Sequence, residues 1–295
     1  MGFFLGIDGG GTKTECVLAD ESGAVMARSI GDGANLRRTS ATELRTTLSQ
    51  CLEALRQQAS LARLECDAVC AGFAGAGIAE ARIKAEEVLR KLLQPKLLVV
   101  VGDMEVALEA AVGAGPGVVL IAGTGSIAFG RNGAGKTARA GGKGFDEGDE
   151  GSGYDIGRRA LEASKLYPDS PLANMVAQAG PTAGASPTEL ANLVPAVTRA
   201  ARRGDEVARE ILMKAASDLA ELAVGVLRDL DLLGAAVEVA TSGGVFAESD
   251  EVHAQVRSNI LAAAPWARID LLRVSPAEGA VRMAQRRWLE QQTER

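Results

Sequence analysis

A glycine-rich stretch near the amino terminus, LGIDGGGTKT at residues 5–14, has the composition of a phosphate-binding turn. Its glycines lack the Cβ atoms that would keep a phosphate away from the backbone N–H groups. Thr12 and Thr14 add hydroxyl donors, and Lys13 adds positive charge. The stretch matches neither G-x-x-x-x-G-K-[ST] nor G-x-G-x-x-G, and the residues after it predict a strand. We therefore expect a hairpin that holds a phosphate, with a plain glycine-rich turn as the alternative.

Two carboxylates, each at the end of an apolar run, could bind a metal ion or accept a proton. Asp8 ends the first run, and Mg²⁺ prefers carboxylate and water oxygens, so Asp8 is a candidate magnesium ligand. Asp103 follows the apolar run at residues 97–101, where it could take the proton of an acceptor hydroxyl during phosphoryl transfer. A helix N-cap is the alternative for Asp103. The chain has one histidine, His253, which leaves few other candidates for a general base.

Two further glycine motifs lie later in the chain. Thr124-Gly125-Ser126 follows another apolar run and repeats the hydroxyl and glycine pattern of the first turn. Thr241-Ser242-Gly243-Gly244 follows a third run, and paired glycines at a strand–helix junction would let a purine approach the backbone. Two glycine hairpins that face each other across a cleft could hold one triphosphate between them.

The elements that must position these residues follow one order, which occurs twice. Residues 3–112 predict the order β-β-β-α-β-α-β-α, and the capping box Ser40-Ala41-Thr42-Glu43 opens the first helix. The order restarts at residue 118, with a long helical section after its third strand. Two copies of one plan predict a duplicated α/β fold with a cleft between the halves. The predicted domains are residues 1–113, with the terminal helix 276–295 packed back on them, and residues 114–275.

Composition and charge argue against several classes of protein. The chain has 295 residues, of which 47% are hydrophobic, so one large or two modest domains can bury their cores. Its net charge is −6, from 32 basic and 38 acidic residues spread without long runs, which argues against nucleic-acid binding. No apolar stretch reaches the roughly 18 residues of a membrane span, and Asp8 interrupts any signal peptide. The four cysteines lack a C-x-x-C pattern and indicate reduced, buried thiols in a cytoplasmic protein: Cys16, Cys51, Cys66 and Cys70.

The ordered set of motifs resembles the sugar kinase and actin-like ATPase superfamily. The set spans nearly the whole chain and comprises DGGGTKT, GDMEVAL, IAGTGSIA, GGKGFDEGDEGSGYDIG and TSGGVF. Within the superfamily it resembles the N-acetylglucosamine kinase family, which includes glucosamine kinases and related ATPases of the BadF/BadG/BcrA/BcrD type. The resemblance implies two ribonuclease H-like domains of the actin/hexokinase type, with ATP and sugar in the cleft between them. It also implies Mg²⁺, a small sugar substrate, no nucleic-acid or membrane partner, and a homodimer.

The resemblance also assigns roles to individual residues. Asp103 matches the family's catalytic aspartate. Asn35, Gly142 and Asp149 match positions that contact the sugar, and Lys143 and Gly144 belong to the same substrate motif. The positions that bind ATP are Gly10, Gly11, Thr12 and Lys13 in the first motif, Thr124 and Gly125 in the second, and Gly243 and Gly244 in the third.

Several of these assignments have a structural alternative. Asp149 and Glu150 could form a solvated acidic loop, Asn35 could be a turn residue, and Lys13 could be a surface charge. Lys143 stands where the family usually has a tryptophan that offers the sugar an apolar wall. A lysine there makes an acidic or differently substituted amino sugar a candidate beside N-acetylglucosamine, unless the side chain points into solvent.

We therefore predict an ATP-dependent kinase that phosphorylates an amino sugar, first of all N-acetylglucosamine, at the 6-hydroxyl. Glucosamine and acidic amino sugars are the alternative substrates. A second class is an ATPase that activates an electron-transfer partner through a cysteine-ligated iron–sulfur cluster, but no cysteine follows the GTGS turn. A sugar-sensing regulator would need an added DNA-binding domain, and we expect none because the chain begins on its first strand.

Overall fold

The computed structural model describes residues 2–144, 148–180 and 184–293 of the chain. It forms two compact units. The first comprises Met1–Ala114 and Arg273–Arg295, and the second comprises Gly115–Leu272. Each unit is built around its own five-stranded sheet.

The first unit alternates strands and helices in the order that the sequence predicts, and a helix from the end of the chain completes it. The elements are β1 (Phe4–Gly9), β2 (Lys13–Ala19), β3 (Val25–Asp32), α1 (Ala41–Gln58), β4 (Ala68–Phe73), α2 (Ala79–Leu93), β5 (Leu97–Gly102), α3 (Asp103–Val112) and the terminal α11 (Pro276–Thr293).

The first sheet has the strand order β3-β2-β1-β4-β5. Strands β1, β2 and β3 pair antiparallel, whereas β4 and β5 run parallel to β1. Because successive side chains of a strand point to opposite faces, Leu5 and Ile7 join the core beneath α1 and α2, and Phe4 joins the core beneath α3 and α11. The carboxyl ends of β1, β4 and β5 therefore meet at one edge of the sheet.

The terminal helix packs closely on β1 and α3 because glycines stand at both contacts. A Cβ on Gly6 would lie 2.0 Å from the carbonyl oxygen of Ala277, and a Cβ on Gly279 would lie 2.2 Å from that of Val106. Helix α11 also carries Arg286, which makes an ion pair of 2.9 Å with the buried Glu109 of α3. The first unit thus depends on a helix that follows the whole second unit in sequence.

The second unit repeats the plan with a longer helical section. Its elements are β6 (Gly117–Ala122), β7 (Ser126–Arg131), β8 (Thr137–Gly141), α4 (Gly153–Leu166), α5 (Pro171–Ala179), α6 (Pro187–Ala191), α7 (Val194–Arg202), α8 (Glu206–Asp229), β9 (Glu238–Ser242), α9 (Gly244–Glu248), α10 (Asp250–Ala263) and β10 (Arg268–Leu271).

The sheet of the second unit has the order β10-β9-β6-β7-β8. When it is listed from β8 to β10, it repeats the order of the first sheet, with β6, β7, β8, β9 and β10 in the places of β1, β2, β3, β4 and β5. Strands β6, β7 and β8 pair antiparallel, and β9 and β10 run parallel to β6. The prediction of an α/β fold built twice on one plan is therefore confirmed. Within the described ranges, no helix has the length and apolarity needed to cross a membrane.

Candidate active site

The first glycine turn joins β1 to β2 and is supported from one side. The N–H of Gly10 donates to the carbonyl of Lys13 at 3.0 Å, and the N–H of Ala34 donates to the carbonyl of Gly10 at 2.9 Å. A Cβ on Gly33 would lie 2.5 Å from the carbonyl oxygen of Gly11, whereas a Cβ on Gly11 would meet nothing within 4 Å. The turn is therefore fixed by the loop beneath it, while Gly11 and the exposed Thr12 face open space.

The second hydroxyl of each hairpin is already engaged, contrary to the prediction that it could donate to a phosphate. Thr14 is buried, and its Oγ1 donates to the carbonyl of Asp32 at 2.7 Å. Ser126 is also buried, and its Oγ donates to the carbonyl of Glu150 at 2.8 Å. A hydroxyl has one proton to donate. Thr12 and Thr124, which lie within the turns, are the hydroxyls left for a ligand.

Asp8 and Asp103 both lie at the carboxyl edge of the first sheet, with β4 between them. Asp8 pairs with Gly72 of β4, and Gly72 pairs with Val101 of β5, two residues before Asp103. Since neighbouring strands lie about 4.8 Å apart, β1 and β5 are about 10 Å apart. Gly72 also matters for α3: a Cβ there would lie 2.3 Å from Cγ2 of Val106. The glycine thus lets α3, which begins with Asp103, pack closely on the sheet.

Asp103 is the first residue of α3 and not its N-cap, so the N-cap alternative is wrong. The N-cap is Gly102, whose N–H donates to Oε1 of Glu105 at 3.0 Å. The helix accordingly begins at Asp103, directly after the end of β5. The Oδ1 of Asp103 accepts the N–H of Met104 at 3.0 Å.

The electrostatic environment raises the pKa of both carboxyl groups. Burial, followed by the negative charges of Asp103 and Glu15, raises the pKa of Asp8 to about 7, against a smaller opposing effect of Lys13. Burial raises the pKa of Asp103, and the N–H donated by Met104 partly offsets that effect. Raised carboxyl pKa values are typical of groups that accept protons or bind cations.

Asn35 lies in the loop that supports the first turn, and its side chain has a structural task there. Its Oδ1 accepts the N–H of Arg37 at 3.0 Å, which makes an Asx turn. The N–H of Leu36 donates to the carbonyl of Ala74 at 2.8 Å, so the loop is also attached to the end of β4. The side-chain amide N–H₂ of Asn35 donates to none of the residues that the structure describes, which leaves it available to a ligand.

The second glycine turn joins β6 to β7 and rests on the start of α4. The N–H of Gly153 donates to the carbonyl of Gly123 at 2.8 Å, and the N–H of Tyr154 donates to that of Thr124 at 3.3 Å. Asp149, 7% exposed, accepts the N–H of Ser126 on its Oδ1 at 3.1 Å. The solvated-loop alternative is therefore wrong for Asp149, whereas Glu150 is exposed.

Lys143 lies between two glycines, Gly142 and Gly144, just after the end of β8. Gly142 and Gly144 have φ angles of 68° and 101°, in the left-handed region that favours glycine. The N–H of Gly142 donates to the carbonyl of Ser126 at 2.8 Å, and this hydrogen bond holds the segment beside the second turn. The Lys143 side chain is exposed and makes no ion pair within the described residues. Residues 145–147 of the same motif lie outside the described residues.

The third glycine motif ends β9. Gly243 has a φ of 110°, and a Cβ there would lie 2.3 Å from the carbonyl oxygen of Ala122, so only glycine fits. A Cβ on Gly244, the first residue of α9, would meet nothing within 4 Å. The start of α9 is therefore open around Gly244.

The single histidine supports this third motif, a contact that the sequence did not reveal. Thr241 is buried, and its Oγ1 donates to the carbonyl of Asp270 at 3.2 Å while lying 3.0 Å from Nε2 of His253. Because the hydroxyl proton is used, Nε2 of His253 must be the donor in the second bond. Burial lowers the pKa of His253, which favours the neutral ring.

Comparison with known proteins agrees with these motifs. The model of a family described as the BadF/BadG/BcrA/BcrD ATPase family matches residues 5–284. An N-acetylmuramic acid/N-acetylglucosamine kinase of Clostridium acetobutylicum is 30% identical, over 96% of this chain and 98% of its own length. An N-acetyl-D-glucosamine kinase of Dictyostelium discoideum is 28% identical, over 78% of this chain and 80% of its own length.

Solved structures share the whole fold. A protein of Chromobacterium violaceum, named provisionally as an N-acetylglucosamine kinase, has a TM-score of 0.78 at 27% identity and covers 95% of this chain and 98% of its own. A ROK family glucokinase from Streptomyces griseus, in complex with glucose and AMPPNP, has a TM-score of 0.64 at 20% identity and covers 96% and 98%. The second likeness concerns the fold alone, and both agree with the two-unit plan described above.

Proposed function

Because this chain belongs to the BadF/BadG/BcrA/BcrD ATPase family, we propose that it transfers the γ-phosphoryl group of ATP to a hydroxyl of an amino sugar. The observation that carries the proposal is the pair of carboxyl groups beside the first glycine turn, both with raised pKa values. The curated relatives are named as kinases of N-acetylglucosamine or N-acetylmuramic acid, which supports the choice of acceptor.

In the proposed mechanism, Asp103 accepts the proton of the sugar hydroxyl as its oxygen forms a bond to the γ-phosphorus. The bond between that phosphorus and the β–γ bridging oxygen breaks, and ADP leaves with the electron pair. Phosphoryl transfer asks a protein mainly for positioning and charge neutralisation. The glycine turns with Gly10, Gly11 and Lys13, and with Thr124 and Gly125, would supply these to the phosphates, and Gly243 and Gly244 would admit the base.

The donor set beside the first turn fits a magnesium ion. Asp8 offers carboxylate oxygens, and its pKa is raised partly by neighbouring negative charge that a divalent cation would offset. No group of three or more His, Cys, Asp or Glu side chains in the described ranges is arranged to hold a metal. Asp8 would therefore be one ligand, beside water and phosphate oxygens, as is usual for Mg²⁺. The ion would neutralise charge on the β- and γ-phosphates.

The preferred sugar is the finer part of the proposal. N-acetylglucosamine is the first candidate, and Asn35, Gly142, Gly144 and Asp149 are the proposed contacts. An acidic amino sugar such as N-acetylmuramic acid is the second candidate, and the exposed ammonium group of Lys143 favours it. A carboxylate on the substrate would give this ammonium group a partner.

An ATPase that activates an electron-transfer partner is the competing class. All four cysteines are buried, and all lie in the first unit. Buried thiols in the interior of one unit are poor candidates for ligands of a cluster shared between subunits, which disfavours this class.

A coupled assay of ADP release tests the proposal. We expect ADP only when ATP, Mg²⁺ and an acceptor are present, with N-acetylglucosamine and N-acetylmuramic acid ahead of glucosamine and glucose. Phosphorus–proton coupling in the NMR spectrum of the product should place the phosphate on the 6-hydroxyl. ADP release at the same rate without sugar would instead indicate an ATPase. Sedimentation of the same sample would test the proposed homodimer.

A further inference from the structure

The second unit contains a buried cluster of charged side chains next to the second glycine turn. Asp155 of α4 is 5% exposed, and Asp218 of α8 is 7% exposed. Arg159 lies between them and reaches both: its Nη2 is 2.9 Å from Oδ2 of Asp155 and 3.3 Å from Oδ2 of Asp218. We refer to Asp155, Arg159 and Asp218 as the buried charge cluster. Its outer end is capped by an ion pair between Asp218 and the exposed ammonium of Lys214.

The buried charge cluster is bonded to the loop at residues 148–152, which we refer to as the support loop. Oδ2 of Asp155 accepts the N–H of Gly151 at 3.1 Å, and the N–H of Asp155 donates to Oγ of Ser152 at 3.2 Å. A hydrogen bond from a backbone N–H to an ionised carboxylate is among the stronger kinds in proteins. The carboxylate of Asp155 therefore holds the loop at Gly151, and the backbone N–H of Asp155 holds it at Ser152.

The support loop is closely packed against α8 on its other side. Gly151 has a φ of 74°, and a Cβ there would lie 2.6 Å from the carbonyl oxygen of Ala215 and 2.7 Å from Cγ of Leu219. Both atoms belong to α8, on the turns that flank Asp218. The loop is thus packed between the start of α4 and the middle of α8, and the buried charge cluster joins these two helices.

The support loop in turn holds the second glycine turn. Asp149 accepts the N–H of Ser126, and the carbonyl of Glu150 accepts the Oγ–H of Ser126. The carboxylate of Asp149 also lies under Gly125, where a Cβ would be 2.9 Å from its Oδ2. A continuous series of hydrogen bonds therefore connects α8 with the turn that carries Thr124.

We propose that the buried charge cluster positions the second glycine turn for the phosphates of the nucleotide, so that Asp155, Arg159 and Asp218 are positioning residues for phosphoryl transfer. The proposal rests on the proposed function of this turn and extends it to residues that touch no ligand. A buried ion pair contributes little net stability relative to apolar side chains of the same size, because desolvation offsets the attraction, and the role that we assign to this cluster is to fix the geometry of the groups it joins. The cluster therefore acts on where the turn lies more than on whether the unit folds.

Asp155→Asn is the first test. Asparagine keeps the size of the side chain and an acceptor for Gly151, but it loses the charge that pairs with both Arg158 and Arg159. We expect the Kd of ATP to rise about tenfold and the KM for ATP to rise with it. AMP lacks the β- and γ-phosphates, so its Kd should stay within twofold of the wild-type value. A cluster that only stabilised the unit would change the binding of both nucleotides alike.

Asp205→Asn is the matched control. Asp205 is 6% exposed and also accepts two backbone N–H groups, those of Leu172 and Ala208, at 2.9 Å each. These bonds lie at the starts of α5 and α8 and make no connection to the support loop. We expect this variant to lose thermal stability while it keeps the ratio of ATP to AMP affinity.

Asp218→Asn provides a second variant whose side chain does not touch the support loop. If the three side chains of the cluster act together, this variant should also weaken the binding of ATP relative to that of AMP, by less than Asp155→Asn does. An unchanged ratio of ATP to AMP affinity in both variants, or an equal change in Asp205→Asn, would overturn the inference. The proposed function would fail separately, by the absence of sugar-dependent ADP release in the wild-type protein, and nucleotide binding could still be compared.

Discussion

At the scale of single residues, the proposed chemistry depends on carboxyl groups whose pKa values are raised by burial. Asp103 starts α3, and its carboxylate accepts the backbone N–H of Met104 and interacts with its own backbone N–H. Glu105 lies two residues further along the same helix but is used to cap it. Neighbouring carboxylates on one helix therefore have different tasks, which permits a matched comparison.

Asp103→Asn should lower kcat by about 10² or more, because the amide cannot accept the proton of the sugar hydroxyl. The Kd of ATP should barely change, since the glycine turns are untouched, and the amide oxygen can still accept the N–H of Met104. Glu105→Gln, which alters the adjacent carboxyl group, is the control and should retain most activity. Steady-state kinetics with the best sugar measure kcat for both variants. Near-normal turnover by Asp103→Asn would refute the role of Asp103 as the proton acceptor.

Lys143→Met should change which sugar is preferred. Hydrogen bonds to charged groups contribute about 1.5–3 kcal/mol, so kcat/KM for N-acetylmuramic acid should fall by about tenfold or more. The value for N-acetylglucosamine, which has no carboxylate, should stay within about twofold. Lys165→Met removes another exposed lysine of the same unit and controls for net charge. An equal loss of kcat/KM with both sugars would mean that Lys143 does not recognise the carboxylate.

At the scale of elements, close packing between helices and strands sets the position of the site. Gly72 is the clearest case, because it separates Asp8 from Asp103 and lets α3 approach the sheet. The helix that carries Asp103 is held on its other flank by α11, through Gly279 and the ion pair between Glu109 and Arg286. A shift in either contact would move the start of α3.

Gly72→Ala should destabilise the protein by about 1–3 kcal/mol, as is typical when a methyl group is forced into a packed interior. It should also lower kcat, because Val106 and the start of α3 must move. Gly77→Ala is the control: a Cβ there meets nothing within 4 Å, and we expect a change below about 0.5 kcal/mol. Urea unfolding followed by fluorescence measures both. Equal stability of the two variants would show that α3 can adjust without cost.

The sequence indicated much of this site because its elements are marked by local signals. The glycines after apolar runs predicted the turns, and the acid after the run at residues 97–101 predicted the carboxylate at a strand end. The sequence could not reveal that the hydroxyl groups of Thr14 and Ser126 donate to backbone carbonyls. Nor could it reveal that Arg159 makes ion pairs with both Asp155 and Asp218. Those contacts join segments that are distant in sequence, and only the folded unit brings them together.

At the scale of the whole molecule, the charge of Asp8 links stability to pH. Its pKa is 3.8 in an unfolded chain and about 7 in the folded protein, because burial and negative neighbours oppose ionisation. A raised folded pKa contributes stability that is fully present below about pH 4 and is lost as the pH rises through about 7. The nucleotide-free protein should therefore lose stability across that range.

Asp8→Asn should remove this dependence, because asparagine does not ionise. The Tm of the variant should be close to that of the wild-type protein at or below about pH 4 and higher than it at pH 8, both measured with EDTA and without nucleotide. The same variant should bind Mg²⁺ and ATP more weakly, since it loses a carboxylate oxygen. Parallel Tm curves for the two proteins between pH 5 and pH 8 would contradict the assignment of a raised pKa to Asp8.

The place of α11 in the sequence has a consequence for synthesis on the ribosome. Phe4, Val17 and Ala68 form an apolar face that α11 covers, yet the helix is made only after the whole of Gly115–Leu272. While translation proceeds, the second unit can fold as soon as its own residues have emerged, whereas the first unit must wait with that face exposed to water. The nascent chain is thus most open to chaperones, and to association with other chains, in the part that was translated first.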